Sequence, residues 1–313
     1  MELHAETRAP LDQTAEDVFA PIVVNRPARA STGPLKVVAF NAKTGSYWRA
    51  IARKMRLPPL DGADLLLISE ADWRMQRSGG HEIAAELAAE MGMSFAYAPE
   101  FGVKRPGGIV SFLGNAILST RPLTDVRAIR MPSLFLRRKM RRMAGGPTGL
   151  SVKINVNGRS IAVGMAHLNS RVDPAGREFQ MRQYLAAFPN GVPAIFGGDL
   201  NTTTVELHAP HAFRAAALKF LLPPARLRRP QSWEALFERL AEAGFSIEGA
   251  NAIGKPTFTF FRAIPPFMRP KLDWIALRAL KPVPGSAAVV PARLSFAGPR
   301  ISDHDFIVCD VEV

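Results

Sequence analysis

One segment constrains the fold of this chain most strongly, namely residues 195–202 with the sequence IFGGDLNT. The largely apolar residues 192–196 predict a buried β-strand, because β-branched and aromatic side chains next to proline and glycine are typical of core strands. The two glycines relieve the steric limits where that strand ends. Asp199 and Asn201 follow directly. Their side chains can bind a hard cation, can position and deprotonate a water molecule, or can form an Asx turn before a helix.

Polar side chains stand at the ends of other predicted strands as well. They are Asn41, Glu70, His167, Asp273, Asp303 and His304. Ligands of open α/β sheets bind beyond the strand ends, so polar residues placed there converge on one region. We therefore expect these residues to form one site together with Asp199 and Asn201.

The order of the predicted elements indicates a mixed α/β domain. Predicted strands cover residues 35–42, 64–69, 94–98, 115–119, 124–129, 150–155, 160–166, 192–196, 272–277 and 305–313. Predicted helices cover residues 47–57, 82–91, 174–188, 208–222 and 232–243. We expect strands 115–119 and 124–129 to pair, and Asn157-Gly158 predicts a tight hairpin between strands 150–155 and 160–166. No long flexible linker divides residues 35–313, which favours a single domain there.

The first 34 residues differ in charge from the rest of the chain. They contain five acidic and three basic residues, whereas the whole chain has a net charge of +13. They also show little hydrophobic periodicity, so we expect residues 1–34 to form a flexible or draped arm.

The basic composition favours a polyanionic partner. A net charge of +13 and a sequence pI of about 10.5 suit nucleic acid, an anionic membrane surface or a phosphorylated substrate. The single cysteine, Cys309, excludes an intrachain disulfide and a cysteine-based metal site. No apolar run reaches the roughly 18 residues of a membrane span, and the N-terminus does not resemble a signal peptide. We therefore expect a cytoplasmic protein, with peripheral membrane association left open.

Seven short motifs occur in a characteristic order along the chain. They are FNA at 40–42, ISE at 68–70, GNAILS at 114–119, AHLNS at 166–170, GGDLNT at 197–202, KLDWI at 271–275 and SDH at 302–304. Together they resemble the endonuclease/exonuclease/phosphatase superfamily, which has the DNase I-like fold. The resemblance implies an α/β (α+β) four-layer sandwich, with two mixed β-sheets packed face to face and helices on the outside.

The resemblance also implies a metal site. Glu70 would be the principal ligand of Mg²⁺, for which Mn²⁺ can substitute, and Asn41 and Asp303 would complete or neighbour the site. Mg²⁺ keeps several of its waters, so one or two carboxylates suffice to bind it. Asp303 would in addition fix the ring of His304.

The remaining motif residues would carry the reaction. Asp199 would orient or deprotonate the attacking water, and Asn201 would hold a phosphate oxygen or Asp199 itself. His304 and His167 would contact the phosphate as negative charge builds. Asp273 would position His167 or Asn201.

The chain departs from the family pattern after Glu70. Many nuclease members carry a basic residue two positions later, where this chain has Asp72. A second acid there can add a metal ligand or repel a phosphate, and Arg74 is the candidate replacement for the missing base.

A basic segment supplies the candidate substrate-binding residues. Residues 127–142 contain seven basic residues and no acidic residue, interleaved with apolar ones. We predict that Arg138, Arg141 and Arg142, together with Asn169, bind substrate. The segment can grip the phosphates of nucleic acid, can lie on an anionic lipid surface, or can be a solvated loop.

The sequence thus predicts a Mg²⁺-dependent phosphodiesterase or nuclease that acts on nucleic acid through in-line attack of water. A phospholipid or sphingolipid headgroup phosphodiesterase or phosphatase is the alternative enzyme. An inactive scaffold that binds polyanions is the alternative without catalysis.

Overall fold

The computed structural model describes residues 18–29, 33–105, 108–134, 143–202, 233–259, 269–295 and 297–313. Two β-sheets form the centre of the molecule. Their facing sides are joined by a shared apolar core to which both contribute, and helices cover their outer sides. The structure thus confirms the predicted sandwich of two mixed sheets with helices outside.

In the described residues the first sheet has nine strands. Its strands are β1 (Ile22–Val24), β2 (Leu35–Thr44), β3 (Leu65–Trp73), β4 (Ser94–Arg105), β5 (Gly108–Ser119), β7 (Met143–Gly145), β12 (Lys281–Pro282), β13 (Ala288–Val290) and β14 (Phe306–Glu312). The main path runs β1-β4-β5-β3-β2-β14-β12, while β7 pairs with β4 and β13 pairs with β14. Strands β2 and β3 are parallel, and the other pairs are antiparallel.

The second sheet, over the part of the chain that the structure describes, has five strands in the order β11-β10-β9-β8-β6. Their bounds are β6 (Thr124–Arg130), β8 (Thr148–Val156), β9 (Arg159–Met165), β10 (Ala194–Asp199) and β11 (Asp273–Arg278). Strands β9 and β10 are parallel, and β8 and β9 form the predicted hairpin around Asn157-Gly158.

The helices lie on the outer faces. Against the first sheet pack α1 (Trp48–Met55) and α2 (Ile83–Met91), through side chains such as Ile51 and Leu87. Against the second sheet pack α3 (Pro174–Ala187) and α4 (Leu236–Glu242), through Tyr184 and Phe237. None of the helices in the described part of the chain combines the length and apolar character needed to cross a membrane. The helix predicted over residues 208–222 lies outside the described residues.

The predicted pairing of residues 115–119 with 124–129 is wrong. Residues 115–119 end β5 in the first sheet, whereas β6 pairs with β8 in the second. Between the two strands, Arg121 is buried and its Nη1 lies 3.4 Å from Oδ1 of Asp64. This anchored turn carries the chain from one sheet to the other.

Part of the predicted N-terminal arm packs against the first sheet. Strand β1 pairs with β4 in the register Ile22↔Tyr97, and Phe19 is buried edge-on against Phe112. The side chain of Asn25 exchanges two hydrogen bonds with the backbone of Leu123. Part of residues 18–29 therefore packs against the first sheet, while the flexible or draped arm with a boundary at residue 34 stays a prediction.

Candidate active site

Strand direction brings the motif residues to one edge of the sandwich. Asn41 and Glu70 lie toward the carboxyl ends of the parallel strands β2 and β3, and Asp199 ends β10. Strand β11 runs antiparallel to β10, so its first residue, Asp273, lies opposite Asp199. Strand β14 runs antiparallel to β2, so His304, just before it, reaches the same edge.

Irregular pairing aims several of these side chains. The register shifts between Asn41 and Thr44, between Ile68 and Ala71 across Glu70, and between Pro99 and Phe101 across Glu100. Glu70 also has a left-handed φ of 56°. Bulges of this kind redirect side chains and are enriched beside active sites.

Asp199 is the centre of the cluster. It is buried; its Oδ1 accepts a hydrogen bond from the backbone N of Asn201 at 3.0 Å, and its Oδ2 accepts one from Nδ2 of Asn41 at 2.9 Å. The same Oδ2 lies 3.6 Å from Nε2 of His304 and 3.8 Å from Nε2 of His167. One carboxylate thus faces two imidazoles and is held by two amide groups.

Gly198 allows this strand end to fit. Its φ is 130°, and a Cβ atom at this position would lie 2.3 Å from the backbone oxygen of Ala166. A side chain would therefore push β10 away from the segment that carries His167.

His304 is held by Asp273. Its Nδ1 lies 2.8 Å from Oδ2 of Asp273, and both side chains are buried. The expectation that Asp303 fixes this ring is wrong, as is the expectation that Asp273 positions His167 or Asn201. Instead, Oδ2 of Asp303 lies 3.3 Å from Nζ of Lys43 at the outer rim. Sequence motifs place these acids near His304 but do not show which carboxylate meets the ring.

His167 stands beside a carboxylate that the sequence did not reveal. Its Nδ1 lies 3.7 Å from Oε2 of the buried Glu100, and its Nε2 lies 3.8 Å from Oε1 of Glu70. Glu100 follows the predicted strand 94–98, but β4 continues to Arg105 and bulges at this residue. Its position just after a predicted strand was the sequence signal that could have added Glu100 to the candidate site.

The electrostatic environment gives the two histidines and Asp199 different charges. Burial lowers the pKa of His304, but Asp273 and Asp199 outweigh it and raise that pKa to about 10. Burial likewise disfavours charged His167, and Glu100, Asp199 and Glu70 raise its pKa to about 10. Burial raises the pKa of Asp199 to about 6, against the opposing effect of His304. At neutral pH the cluster thus holds two cationic rings around an ionised base.

Glu70 fits a hard metal ion. Burial raises the pKa of Glu70, but His167 and the hydrogen bond from Asn41 Nδ2, at 3.2 Å, outweigh burial and lower the pKa below its ordinary value. The carboxylate is therefore ionised. The side chain is 30% exposed, which leaves oxygen accessible at the open edge. Asn41 lies beside Glu70 as predicted, but its Oδ1 accepts a hydrogen bond from the backbone N of Lys43. Asn41 therefore orients the two carboxylates Glu70 and Asp199 through its Nδ2.

The distances between side chains indicate a second set of residues that could bind a metal ion. Among the described residues, only Asp199, Asp273 and His304 form a group of three acidic, histidine or cysteine side chains with ligand atoms within 4.8 Å of one another. A protonated histidine has no lone pair to offer, because both ring nitrogens then carry hydrogen. This group can bind a metal only once His304 loses its proton, whereas Glu70 and Asp303 offer carboxylate oxygens directly.

Asn201 and Asn169 form hydrogen bonds with the backbone near the site. Nδ2 of Asn201 donates to the backbone oxygen of Leu168 at 2.8 Å, and its backbone N holds Asp199. Oδ1 of Asn169 accepts from the backbone N of Arg171 at 3.0 Å. Both residues therefore shape the loops around His167, and their contact with substrate stays a prediction.

Asp72 is neutralised within the protein. It is buried and accepts hydrogen bonds from Nε and Nη2 of Arg77 at 2.8 and 2.6 Å. It therefore faces Arg77 and does not stand as an isolated charge against a phosphate. Arg74 pairs with Glu82, whereas the charge of Arg77 contributes to lowering the pKa of Glu70. The predicted substrate-binding residues Arg138, Arg141 and Arg142 lie outside the described residues.

Fold and site together define the class of the protein. Two mixed sheets with outer helices carry, at one edge, a buried carboxylate between two histidines and an ionised glutamate beside it. The Endonuclease/Exonuclease/phosphatase family model matches residues 38–304, and the chain belongs to this family. It is a hydrolase that acts on phosphoester bonds.

Solved structures share the fold at low sequence identity. An endonuclease/exonuclease/phosphatase from Beutenbergia cavernae is 19% identical with a TM-score of 0.62, covering 90% of this chain and 72% of its own. TDP2 of D. rerio with a single-strand DNA product is 15% identical with a TM-score of 0.54, covering 89% and 99%. Sphingomyelinase C from Streptomyces griseocarneus is 18% identical with a TM-score of 0.51, covering 89% and 99%. No curated protein matches the chain.

Proposed function

We propose that this protein is a divalent-metal-dependent phosphodiesterase that acts on nucleic acid. The observation that carries the proposal is the position of Asp199, whose Oδ2 faces the Nε2 atoms of both His304 and His167. A buried carboxylate with a pKa of about 6 is a stronger base than an ordinary aspartate and is still ionised at neutral pH. The two cationic rings lie where they can contact the oxygens of a phosphate.

In this mechanism each residue has one role. Asp199 takes the proton of the attacking water, whose oxygen bonds to phosphorus while the P–O bond to the leaving oxygen breaks, and solvent protonates that leaving oxygen. The two amide groups hold the carboxylate in place. His304 and His167 donate hydrogen bonds to the phosphoryl oxygens as negative charge builds. Asp273 keeps the His304 ring oriented and charged.

Glu70 is the proposed principal ligand of Mg²⁺, with Asp303 at the rim. An ionised, accessible carboxylate suits a hard cation that binds through few protein oxygens. When bound, the ion would supply a Lewis acid for a phosphoryl oxygen. Mn²⁺ is expected to substitute because it accepts the same oxygen ligands.

Net charge favours nucleic acid over the alternative substrate. A protein with a net charge of +13 attracts a polymer that carries one phosphate per nucleotide. The likeness to TDP2 in complex with DNA is consistent with this choice, and the likeness to a sphingomyelinase keeps a lipid headgroup as the second candidate.

The test uses Asp199→Asn with Asp310→Asn as the control. Asp310 lies on β14 at the edge opposite the candidate site. Turnover is measured with Mg²⁺ on an oligonucleotide, on sphingomyelin vesicles and on a small chromogenic phosphodiester, and again in excess chelator. We expect Asp199→Asn to lower kcat by about 10²–10⁴-fold, as for the loss of a general base, and chelator to abolish turnover.

Each other outcome has a definite meaning. Wild-type turnover by Asp199→Asn would remove this residue from the mechanism, and full activity in chelator would remove the metal. Hydrolysis of sphingomyelin but not of the oligonucleotide would select the lipid substrate. No turnover of any substrate would favour the inactive scaffold.

A further inference from the structure

A strained loop leads from the candidate active site to helix α1. Lys43 and Thr44, at the end of β2, have left-handed φ values of 48° and 73°, and Gly45 follows with 76°. A left-handed conformation is costly for a β-branched threonine, and such strain clusters at functional sites. A Cβ atom on Gly45 would lie 2.4 Å from Cγ2 of Ile83, so the loop sits tightly against α2. This packing holds the loop in one position.

The loop presents an aromatic ring to solvent. Tyr47 is 60% exposed, the highest value among the large apolar side chains of the described residues. The next residue, Trp48, is buried and meets the ring of His81 edge-on at 5.6 Å. Tyr47 is thus an exposed ring on a fixed base, which core packing does not require.

Two exposed arginines line the same depression as this ring. Arg49 and Arg53 are exposed on α1, one helical turn apart, and Cζ of Arg49 lies 4.4 Å from the centre of the Trp48 ring. Neither makes an ion pair with any described residue, whereas Arg56 on the same helix pairs with Glu90. We call Tyr47, Arg49 and Arg53 the Tyr47 surface.

The shape of this region suits part of a ligand. Residues 46–50 and Arg53 line an open depression of about 220 Å³. Sites that enclose a whole small molecule usually measure roughly 300–1,000 Å³, so this depression suits a single ring system with charged groups on either side. An exposed aromatic ring beside exposed arginines can bind single-stranded nucleic acid, through base stacking and phosphate contacts.

The Tyr47 surface is continuous with the candidate active site. Lys43, whose Nζ pairs with Asp303, lies four residues before Tyr47. Oγ1 of Thr44 and Oγ of Ser46 are hydrogen-bonded at 2.8 Å in between. A strand with its scissile phosphate at Asp199 can therefore continue along this loop onto α1.

We propose that the Tyr47 surface binds an unpaired segment of the nucleic-acid substrate next to the scissile phosphate, with one base stacked on Tyr47 and the backbone phosphates on Arg49 and Arg53. This inference rests on the proposed nucleic-acid substrate and adds where the strand runs and that it is unpaired there. A lipid surface is disfavoured, because a membrane-binding face presents several apolar side chains and the Tyr47 surface has one exposed aromatic ring.

The test compares Tyr47→Ala, Tyr47→Phe and the double variant Arg49→Gln/Arg53→Gln. The matched control is Arg159→Gln/Lys281→Gln, which removes the same charge. Arg159 begins β9, and Lys281 lies opposite Glu312 in the register of β12 with β14, so both are exposed residues at the edge opposite the active site. Kinetics with Mg²⁺ are measured on a single-stranded oligonucleotide, on the same sequence as a blunt duplex, and on a small phosphodiester.

We expect Tyr47→Ala to raise KM for the single strand by about tenfold, within the range of lost base stacking, while Tyr47→Phe keeps the wild-type value. Arg49→Gln/Arg53→Gln should flatten the log–log salt dependence of single-strand binding by about 0.7 for each lost contact. The opposite-edge control should change this slope less, and all variants should hydrolyse the small phosphodiester at the wild-type rate.

Failure of the inference and failure of the proposed function give different results. If the wild type cleaves oligonucleotides and Tyr47→Ala matches it on the single strand, the Tyr47 surface is wrong and the nucleic-acid substrate stands. A loss that is equal on the blunt duplex would overturn the unpaired segment. If the wild type does not cleave or bind oligonucleotides, the proposed substrate is wrong and the inference falls with it.

Discussion

A single oxygen atom connects most of the candidate site. Oδ2 of Asp199 accepts the amide of Asn41 and faces the Nε2 atoms of His304 and His167, while Oδ1 is held by the backbone N of Asn201. One oxygen therefore fixes the orientation of the carboxylate, and the other is directed at the groups that surround the reacting phosphate. Two cations near this oxygen favour its ionised form, and burial opposes them.

At the scale of single residues, we make a prediction from the pairing of Asp273 with His304. Asp273→Asn keeps the size of the side chain but removes the charge that orients and protonates the ring. We expect kcat to fall by about 10²–10⁴-fold, as when an acid that holds a catalytic histidine is neutralised, with a lower melting temperature because a buried ion pair is broken. The measurements are steady-state kinetics and thermal unfolding, with Asp310→Asn as the control. Equal kcat values for the two variants would mean that Asp273 does not act on His304.

Most of the residues that meet at the candidate site could be singled out from the sequence, but several of their contacts could not. Short motifs identify Asp199, His304 and Asp273, because each residue follows or begins an apolar strand. Which acid reaches the His304 ring depends on how β11 and β14 lie across the sandwich, and a linear sequence carries no such information. Glu100 was missed for a related reason, since its bulge lies inside a strand that is longer than its apolar pattern.

At the scale of elements, strand irregularities accompany the active residues. Register shifts occur at Asn41, at Glu70 and at Glu100, on three strands of the first sheet. A regular pleat would turn alternate side chains into the core or away from it. Because of the shifts, these three polar side chains do not follow the regular alternation at the sheet edge. The apolar residues before them do follow it.

A second prediction concerns the stability that β1 and the segment before it contribute, because that segment packs into the core. Phe19 is 5% exposed, packs against Phe112 and lies beneath the guanidinium of Arg130. Phe19→Ala should lower the free energy of unfolding by about 3 kcal/mol, as for other buried aromatic residues. Val24→Ala, at a 45% exposed position of the same strand, should change it by less than about 0.5 kcal/mol.

Denaturant unfolding followed by circular dichroism measures both values. An equally small effect of the two variants would show that residues 18–24 rest on the sheet without stabilising it. The sequence left open whether this arm is flexible or draped, because three strand residues are too few for a periodic signal and Phe19 stands outside the strand.

At the scale of the whole molecule, both sheets share one core. The layer between them is built from residues of either sheet, such as Val37 and Leu67 from the first and Val163 and Ile195 from the second. Neither sheet can leave without exposing the inner face of the other. We therefore expect the two sheets to unfold together.

Native-state hydrogen exchange in increasing denaturant tests this expectation. Amides of β2 and β3 and amides of β9 and β10 should converge on one free energy of opening, because the two groups lose the same core. Separate free energies that stay apart up to the global transition would instead assign the sheets to independent units. The comparison needs no variant, since both groups are measured in one protein.

The hydrogen bond between His304 and Asp273 joins the two sheets, and so does the bond between Asn41 and Asp199. Apolar contacts between the sheets are non-directional and tolerate sliding, but these polar distances do not. A displacement of about 1 Å between reacting groups can cost about a hundredfold in rate, although every strand ladder stays intact. Catalytic activity therefore reports on how the two sheets are aligned. A sandwich whose sheets had loosened would lose activity while its circular dichroism spectrum still looked native.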